Sequence, residues 1–498
     1  MITLVGPSLP YGFAKRHGVL LLDAGDVARV GLREGADPKG LIEARRVLGR
    51  PLAVEPLSQA AFDRQLSEIY AGDHLAAADG EDLDMPAGLD SLIDDIPAAA
   101  DLLDTADDAP VIRLINGIIA EAVRTGASDI HLETYESALL VRMRIDGVLR
   151  EALSLNPRIA PLLVSRIKVM ARLDIAEKRV PQDGRIPLAL GGKTLDVRVS
   201  TLPSRGGERV VMRILDKDQA GLTLDRLGMA PDALAAFRAA LAEPNGIILV
   251  TGPTGSGKTT SLYAGLALLN DQTRNILTVE DPVEYAIDGV GQTQVNTKVG
   301  MTFAAGLRAI LRQDPDVVMV GEIRDVETAA IAVQAALTGH LVLSTVHTND
   351  AAGAVTRLRD MGVEPFLLAS TLRLIVAQRL VRRLCDHCRT PEVADKKTAK
   401  LIGAKAGVTV WRPQGCSHCG GSGYVGRIGL YEVMKVGNRL RRLIAAEADE
   451  DALVAAAFDG AGTLGHRARA LVLEGVTSVE EAVRVARQET ASDPAEAA

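Results

Sequence analysis

The chain has 498 residues, a hydrophobic content of 47% and a formal net charge of −8. This length predicts about three domains, and the apolar content is sufficient for a core in each. The acidic balance and an aromatic content of only 3% argue against a nucleic-acid-binding surface, which is typically basic and supplies stacking rings. No apolar run approaches the ~20 residues of a membrane-spanning helix, and the apolar run near the start is too short for a signal peptide. We therefore expect a cytoplasmic protein.

The first 109 residues contain two segments of different character. Residues 1–70 predict a small α/β domain, because short apolar runs alternate there with helical patterns. The apolar runs are Val19–Leu22 and Val27–Leu32, and the helices are predicted at 39–48 and 59–70. Residues 71–109 are rich in aspartate and contain no lysine or arginine, which is typical of a flexible acidic linker. The helical spacing of Leu89, Leu92, Ile93 and Ile96 leaves a folded helical hairpin as the alternative.

Residues 110–222 predict an α+β domain with a half-exposed antiparallel sheet, because a helical pattern is followed by runs that alternate between apolar and polar side chains. The helix is predicted at 111–125 and the strands at 129–133, 139–146, 195–201 and 209–215.

The motif G-x-x-x-x-G-K-[ST] occurs without a mismatch at Gly252–Thr259. An apolar run at 246–251 precedes it and a helical pattern at 259–269 follows it, so the expected context of strand, loop and helix is present. The predicted nucleotide-binding residues are Gly252, Pro253, Thr254, Gly255, Ser256, Gly257, Lys258, Thr259 and Thr260. Lys258 can reach the β- and γ-phosphates, and the Thr259 hydroxyl can bind Mg²⁺. The sequence thus predicts a nucleoside triphosphate site.

Three further apolar strands follow at a spacing typical of α/β domains, at 275–280, 317–320 and 340–347. We expect a mostly parallel sheet within residues 223–380, with the active residues at the carboxyl ends of its strands. Glu280 ends one strand and is the predicted base for the attacking water, although an acidic cluster at this place could also be a solvated loop. Glu322 follows the next strand, where Gly321 replaces the usual aspartate, and is expected to hold Mg²⁺ through water.

Histidines and arginines complete the predicted site. His347 follows the last of these strands and could sense a γ-phosphate, whereas His340, before that strand, could equally be structural. Arginines commonly stabilise the charge that develops on a transferred phosphoryl group. For any single arginine, however, the default interpretation is a solvated surface residue. The candidates are Arg308 and Arg312, four residues apart on a predicted helix, and Arg198 and Arg213 in the preceding domain.

The four cysteines form two C-x-x-C pairs, Cys385 with Cys388 and Cys416 with Cys419. Two such pairs in a reducing compartment predict a structural Zn²⁺ site within residues 381–430, and disulfide or redox chemistry is the alternative. His387 and His418 could each replace a neighbouring thiolate. The basic residues Arg379, Arg382 and Arg383 could indicate nucleic-acid binding, but we favour a surface for a partner or for phospholipid. Residues 431–490 are predicted to be helical, and 491–498 a disordered tail.

Together these segments resemble the secretion ATPase superfamily that powers type II secretion and type IV pilus assembly. The resemblance covers residues from about 9 to 486 and rests on GPTGSGKTT, TVEDPVEY, DPDVVMVGEIRD, GHLVLSTVHTNDA and the cysteine pairs. ASDIHLE and VRVSTLPSRGGERVVMRIL resemble the family's second, PAS-like domain. The resemblance implies a RecA-like ATPase domain, ATP as substrate and a homohexameric ring. It also implies that Glu280 is the base, Glu322 the Mg²⁺-linked carboxylate, His347 the γ-phosphate sensor and the four arginines the charge-stabilising set.

Within this superfamily, the start LPYGFAKRHGVLLLD and the cysteine pairs favour the type II secretion branch. We expect residues 1–70 to bind the cytoplasmic domain of a bitopic inner-membrane secretion protein, and the ring to act on a polytopic platform protein. That arrangement places the protein on the cytoplasmic face of the inner membrane, where acidic phospholipids are a further candidate partner. The alternatives are a pilus or competence-pilus assembly ATPase, a nucleic-acid translocase and a non-enzymatic scaffold.

Overall fold

The computed structural model describes residues 9, 11–70, 109–190, 193–216, 223–458 and 462–490. The chain divides into two compact units, residues 1–218 and 219–498. The predicted acidic linker, except for Ala109, and the predicted tail at 491–498 lie outside the described residues. Within the described ranges, no helix combines the length and apolar composition that crossing a membrane requires.

The first part of unit one is a small α/β fold, as predicted. Its elements are α1 (Tyr11–His17), β1 (Val19–Asp23), β2 (Ala28–Arg33), α2 (Lys39–Leu48), β3 (Leu52–Leu57) and α3 (Gln59–Tyr70). Strand β2 pairs with β1 in antiparallel and with β3 in parallel orientation. The sequence did not indicate β3, because most of its side chains are exposed and Pro56 interrupts its pattern.

Helix α3 connects this fold to the rest of unit one. Phe62 and Leu66 on α3 share a buried apolar cluster with Leu20, Leu57 and with Val169 of a later helix. Burial of aromatic and leucine side chains contributes roughly 1.5–3 kcal/mol each, so this contact is a substantial one. The described part of residues 1–70 therefore packs against the domain that follows.

The second part of unit one is an antiparallel sheet with helices on one face, as the alternating pattern predicted. Its elements are α4 (Ala109–Arg124), β4 (Ala127–Thr134), β5 (Leu139–Ile145), β6 (Val148–Leu155), α5 (Ala160–Met170), β7 (Gln182–Leu190), β8 (Lys193–Ser204) and β9 (Gly207–Asp216). The strand order is β6-β5-β4-β9-β8-β7. Apolar side chains of α4, α5 and one face of the sheet form a single core, and the opposite face carries polar residues.

Unit two contains a seven-stranded sheet in the order β12-β11-β13-β14-β10-β15-β18. The strands are β10 (Gly246–Thr251), β11 (Ile276–Glu280), β12 (Gly291–Gln294), β13 (Val317–Val320), β14 (Leu341–Val346), β15 (Leu372–Leu384) and β18 (Tyr424–Lys435). All neighbouring pairs are parallel except β15 with β18. The predicted parallel sheet is thus present, and its strand β10 lies between β14 and β15.

Helices cover both faces of this sheet. They are α6 (Pro231–Leu241), α7 (Lys258–Leu269), α8 (Phe303–Ile310), α9 (Val326–Leu337), α10 (Ala351–Asp360) and α11 (Pro365–Thr371). Side chains of α6 and α7 belong to the apolar core on one face, and those of α8 to α11 to the core on the other. Every residue of β10, β13 and β14 is buried, which reflects this coverage of both faces.

A module inserted between β15 and β18 carries the cysteines. It contains the antiparallel pair β16 (Thr390–Val393) and β17 (Thr409–Arg412) and the short helix α12 (Lys396–Leu401). Residues 431–435 of the predicted helical region 431–490 belong instead to β18, because they pair with β15. The described residues after β18 contain the helices α13 (Asn438–Ala445), α14 (Glu450–Phe458), α15 (Leu464–Leu473) and α16 (Val479–Thr490). These helices extend one of the two cores of the sheet.

Candidate active site and metal centre

The predicted phosphate-binding motif forms a loop between β10 and α7. Gly252 and Gly257 have positive φ angles of 145° and 88°. A Cβ atom at Gly252 would lie 2.3 Å from the Gln378 carbonyl oxygen, and one at Gly257 would lie 2.8 Å from Gln378 Nε2. Only glycine fits at these two positions, because β15 passes directly behind the loop. The loop therefore presents its backbone at the carboxyl end of a buried strand and at a helix N-terminus.

Lys258 begins α7 and folds over this loop. Its Nζ donates to the carbonyl oxygens of Gly252, at 2.8 Å, and Pro253, at 3.1 Å. Burial lowers the pKa of Lys258 to about 8, against an opposing effect of the Glu322 carboxylate. A phosphate group would restore the charged form of this amine.

The loop also contains a buried polar atom suited to a ligand. Ser256 Oγ is buried and has no hydrogen-bond partner among the described residues, whereas Thr259 and Thr260 are half-buried. Buried hydroxyl groups are normally paired, so Ser256 fits a loop that closes around phosphate oxygens. The residues present thus fit a nucleotide, and Thr259 has the hydroxyl oxygen that Mg²⁺ prefers.

Glu280, the predicted base, is buried at the end of β11 with both carboxylate oxygens in hydrogen bonds. One oxygen accepts a hydrogen bond from the Tyr263 hydroxyl. The other accepts from Thr278 Oγ1 at 2.6 Å and from Gln292 Nε2 at 3.2 Å. Its side chain is only 2% exposed, whereas Glu284 is half-buried. These contacts occupy both carboxylate oxygens of Glu280, and its role as the base stays a prediction.

Glu322 and His347 meet at the ends of neighbouring strands. His347 Nε2 lies 3.1 Å from Glu322 Oε2, and Arg324 pairs with the other carboxylate oxygen. His347 is half exposed, whereas Glu322 is buried. The parallel order of β13 and β14 brings these two predicted residues together, as expected for carboxyl strand ends.

His340 has a local role at the other end of β14. Its Nδ1 lies 2.9 Å from the Ala335 carbonyl oxygen and 3.2 Å from Thr338 Oγ1. These contacts join the end of α9 to the start of β14. Of the two interpretations left open for His340, the structure favours the structural one.

The four predicted arginines lie in two groups. Arg308 on α8 pairs with Glu327, and Arg312 lies beyond the helix end at Ile310 and donates to the Arg308 carbonyl oxygen at 3.0 Å. The expectation that both arginines lie on one helix is therefore wrong. Arg198 and Arg213 are directly opposite each other on β8 and β9 of unit one.

Arg213 is held in place by a carboxylate. Its Nε donates to Asp129 Oδ1 at 2.8 Å, and Asp129 is buried on the adjacent strand β4. Burial raises the pKa of Asp129, but bonds from Arg213 and Ser128 outweigh burial and keep this pKa below its ordinary value. The Asp129 carboxylate is therefore a stable anchor for the Arg213 guanidinium.

The four cysteine sulfurs form one cluster, all within 4.8 Å of one another. The Sγ–Sγ distances include 3.9 Å between Cys385 and Cys416, 3.8 Å between Cys388 and Cys419, and 3.7 Å between Cys416 and Cys419. Tetrahedral zinc with Zn–S bonds of about 2.3 Å places sulfurs about 3.8 Å apart. The cluster is therefore compatible with the predicted zinc site.

The electrostatics differ among the sulfurs: burial raises the pKa of the Cys388 thiol to about 11, whereas Cys419 suits a metal. Burial raises the pKa of the Cys419 thiol, but the Cys416 and Gly423 N–H groups outweigh it and bring this pKa to about 6. A thiolate is the form that binds metal. The rings of His387 and His418 stack beside the cluster with centroids 4.2 Å apart. Because four thiols already surround one point, neither histidine is needed as a ligand.

The prediction that Arg379, Arg382 and Arg383 form a basic surface patch is wrong for two of these three arginines. Arg379 is 2% exposed and donates to the Asn349 carbonyl oxygen at 2.6 Å. Arg382 pairs with the buried Glu481 and stacks on the Tyr424 ring, and only Arg383 is exposed. Strand β15 pairs with β18 through these positions, and contacts with Asn349, Glu481 and Tyr424 cover Arg379 and Arg382.

The sequence did not indicate the buried polar residues that support the site. Ser261 Oγ donates to Gln378 Oε1 at 2.7 Å behind the phosphate-binding loop. Thr348 N–H donates to Thr251 Oγ1 at 2.8 Å, which joins the ends of β14 and β10. The Glu432 carboxylate accepts hydrogen bonds from the backbone N–H groups of Ala351 and Leu464, which are the first residues of α10 and α15. One feature of the sequence could have indicated such residues: an isolated polar side chain within an apolar run, such as Gln378 in LRLIVAQRLV.

Comparison with known proteins identifies the family. Residues 104–484 match the family described as type II/IV secretion system protein, and residues 8–70 match the family of the amino-terminal domain of GSPII protein E. The chain is 54% identical to type II secretion system protein E of Klebsiella pneumoniae over 97% of both chains. It is 52% identical to type II secretion system ATPase E of Vibrio cholerae over 96% of this chain and 97% of that protein.

A solved structure agrees with the fold. The pilus retraction motor PilT with bound ADP matches 74% of this chain and 95% of its own, with a TM-score of 0.52 and 28% identity. The resemblance inferred from the motifs is thereby confirmed, including the RecA-like ATPase fold. The chain belongs to the type II/IV secretion system protein family and is an ATPase of type II secretion.

Proposed function

We propose that the protein is a motor that couples ATP hydrolysis to pseudopilus assembly and so to protein export across the outer membrane. The observation that carries this proposal is the position of the phosphate-binding loop beside the Glu322–His347 pair, at the carboxyl ends of neighbouring strands. Near-full-length similarity to type II secretion proteins supports the assignment to that system.

In the proposed reaction, the glycine-rich loop and Lys258 bind the phosphates of ATP. The Thr259 hydroxyl and, through water, Glu322 would hold Mg²⁺, which neutralises charge on the phosphate oxygens. His347 would donate a hydrogen bond to the γ-phosphate from its place beside Glu322. The lowered pKa of Lys258 supports this arrangement, because a buried amine gains a partner when phosphate binds.

The attacking water requires a carboxylate base, and the segment from Glu280 to Glu284 offers two glutamates. We propose Glu284 for this role and a positioning role for Glu280. The support for this choice is that Tyr263, Thr278 and Gln292 occupy both Glu280 oxygens. A base must reach the attacking water, which favours the less buried of the two side chains.

Arg198, Arg213, Arg308 and Arg312 are proposed to stabilise charge on the transferred phosphoryl group. Arginines in this role are pre-oriented by carboxylates, because a fixed guanidinium needs little reorganisation during reaction. The Asp129–Arg213 pair and the Glu327–Arg308 pair support this proposal.

We further propose that the protein works as a homohexamer on the cytoplasmic face of the inner membrane. Residues 1–70 would bind the cytoplasmic domain of a bitopic secretion protein, and the ring would act on a polytopic platform protein. Ile42 on α2 and Val54 on β3, which are 73% and 45% exposed, are apolar side chains suited to such binding. No nucleic acid is expected as a partner.

Two measurements test this function. Purified protein should release phosphate from ATP, and Lys258→Ala should nearly abolish that release and protein export. For recruitment, a double variant Ile42→Asp with Val54→Asp should lose co-sedimentation with membranes that carry the bitopic protein. Val299→Asp is the matched control, because Val299 is 76% exposed but lies in unit two. Unchanged sedimentation of the double variant would place the binding surface elsewhere.

A further inference from the structure

Tyr263 lies on α7, five positions after Lys258, and its hydroxyl group faces the acidic segment 280–284. The side chain is 1% exposed and belongs to the apolar core formed with α6. Its ring packs edge-to-face on Tyr285, with centroids 4.7 Å apart at 81°. A buried tyrosine hydroxyl normally finds a polar partner, and this one has three.

The Tyr263 hydroxyl uses its full hydrogen-bonding capacity. It donates to Glu280 Oε2 and accepts from the Glu284 backbone N–H at 3.3 Å and from Gln292 Nε2 at 3.3 Å. One donor and two acceptor positions are all that a hydroxyl offers. The same oxygen therefore contacts the end of β11, the backbone of Glu284 and the side chain of Gln292 on β12.

Gln292 closes the network on its other side. Its Nε2 also contacts Glu280 Oε1 at 3.2 Å and the Tyr285 carbonyl oxygen at 3.1 Å, and its Oε1 accepts from the Ile287 N–H at 2.8 Å. The turn after Glu280 is thus fixed from both sides. Tyr263 is the member of this network that belongs to the phosphate-binding helix.

Burial, and then the neighbouring Glu280 carboxylate, raise the pKa of Tyr263 far above its ordinary value. The hydroxyl therefore keeps its proton under all physiological conditions. A neutral hydroxyl can donate to Glu280 and accept from Glu284 at the same time, whereas a phenolate could only accept.

We propose that Tyr263 is a positioning residue for ATP hydrolysis, whose hydroxyl holds the Glu284 backbone in register with the helix that begins at Lys258. This inference rests on the proposed role of Glu284 as the base. Lys258 binds the phosphates and Glu284 activates the water, so the distance between them decides whether the water is aligned. A displacement of about 1 Å at such a site can cost roughly 10²-fold in rate.

The test is Tyr263→Phe, which keeps the buried ring and removes only the hydroxyl. We expect kcat for ATP hydrolysis to fall about tenfold or more, while the Kd for a fluorescent ATP analogue stays within about twofold. Amide hydrogen exchange at 281–286 should become faster in the same variant, because Glu284 N–H loses its acceptor. The exchange measurement does not depend on hydrolysis.

Tyr424→Phe is the matched control. Tyr424 is also buried, and its hydroxyl forms a hydrogen bond with Ser478 Oγ at 2.9 Å, away from the acidic segment. It should lower the melting temperature as Tyr263→Phe does, yet keep kcat within about twofold. Equal losses of kcat in both variants, or a parallel loss of nucleotide affinity in Tyr263→Phe, would reduce Tyr263 to a structural residue and overturn the proposal.

The exchange data separate this proposal from the proposed function. Unchanged exchange at 281–286 in Tyr263→Phe overturns the positioning role even if the protein is an active ATPase. Faster exchange with a normal kcat shows that the contact exists but does not serve hydrolysis, which also overturns it. Glu284→Gln with undiminished kcat would instead refute the assigned base.

Discussion

His347 Nε2 lies 3.1 Å from Glu322 Oε2, so the imidazole after β14 and the carboxylate after β13 form a pair. Arg324 contacts the other oxygen of the same carboxylate. Glu322 is thereby fixed between a half-exposed histidine and an exposed arginine. This contact is consistent with the proposed roles of Glu322 and His347, because a carboxylate that holds Mg²⁺ and a histidine that binds the γ-phosphate must both lie near the same phosphate group.

The first prediction concerns the two histidines that flank β14. His347→Ala should lower kcat about tenfold, the effect of losing one hydrogen bond in the transition state, and change nucleotide affinity little. His340→Ala is the control, because the hydrogen bonds of the His340 imidazole go to the Ala335 carbonyl oxygen and Thr338 Oγ1, at the opposite end of β14. Steady-state phosphate release distinguishes the two. Equal activities of both variants would remove His347 from the proposed reaction.

The second prediction separates the two glutamates of the acidic segment. Glu284→Gln should still bind ATP but lose roughly 10²–10⁴-fold in kcat, the usual contribution of a general base. Glu280→Gln should show a smaller loss of kcat and a lower melting temperature. The reason is that it disturbs buried bonds to Tyr263, Thr278 and Gln292, which costs about 1–3 kcal/mol. The reverse order of kcat values would return the base role to Glu280.

The third prediction concerns pH. The pKa of Lys258 is lowered to about 8 by burial, so the nucleotide-free amine loses its proton as the pH rises through 8. Phosphate binds the charged form, and ATP binding above this pH must therefore take up a proton. Affinity for ATP should fall about tenfold between pH 7 and pH 9. Titration calorimetry in buffers of different ionisation enthalpy measures the number of protons taken up on ATP binding. Lys258→Arg should show no proton uptake, because arginine stays charged in this pH range.

The fourth prediction concerns the cysteine cluster. Freshly purified protein should contain about one zinc ion per chain, and the double variant Cys416→Ser with Cys419→Ser should contain none. Zinc can contribute on the order of 10 kcal/mol to local folding, so residues 385–430 should become protease-sensitive in this variant. The double variant His387→Ala with His418→Ala should keep its zinc, because the four sulfurs surround the site without these rings. Elemental analysis that finds no zinc in the native protein would contradict the assignment.

Several local features could be predicted from the sequence because they depend on neighbours along the chain. Helices α2 and α3 occur at the predicted residues, since the period of apolar side chains fixes a helix and its buried face. The phosphate-binding loop was predictable because its glycines, Lys258 and Thr259 act within eight consecutive residues. Strands β3, β6, β7, β12 and β15 to β18 were not predicted. Exposed strands such as β3 are defined mainly by their partners, and the buried β15 lacks a period that distinguishes a strand from a helix.

The candidate site has features that could be predicted from the sequence and others that could not. The sequence determined the residue types at the strand ends and predicted that active residues lie at the carboxyl ends of parallel strands, but the contact between Glu322 and His347 is seen only in the structure. Only the tertiary structure decided that Glu280 is enclosed by Tyr263, Thr278 and Gln292, and that Arg379 is buried behind the phosphate-binding loop rather than on the surface. The physical reason is that burial and hydrogen-bond partners depend on contacts between segments far apart in the chain, which local periodicity does not record.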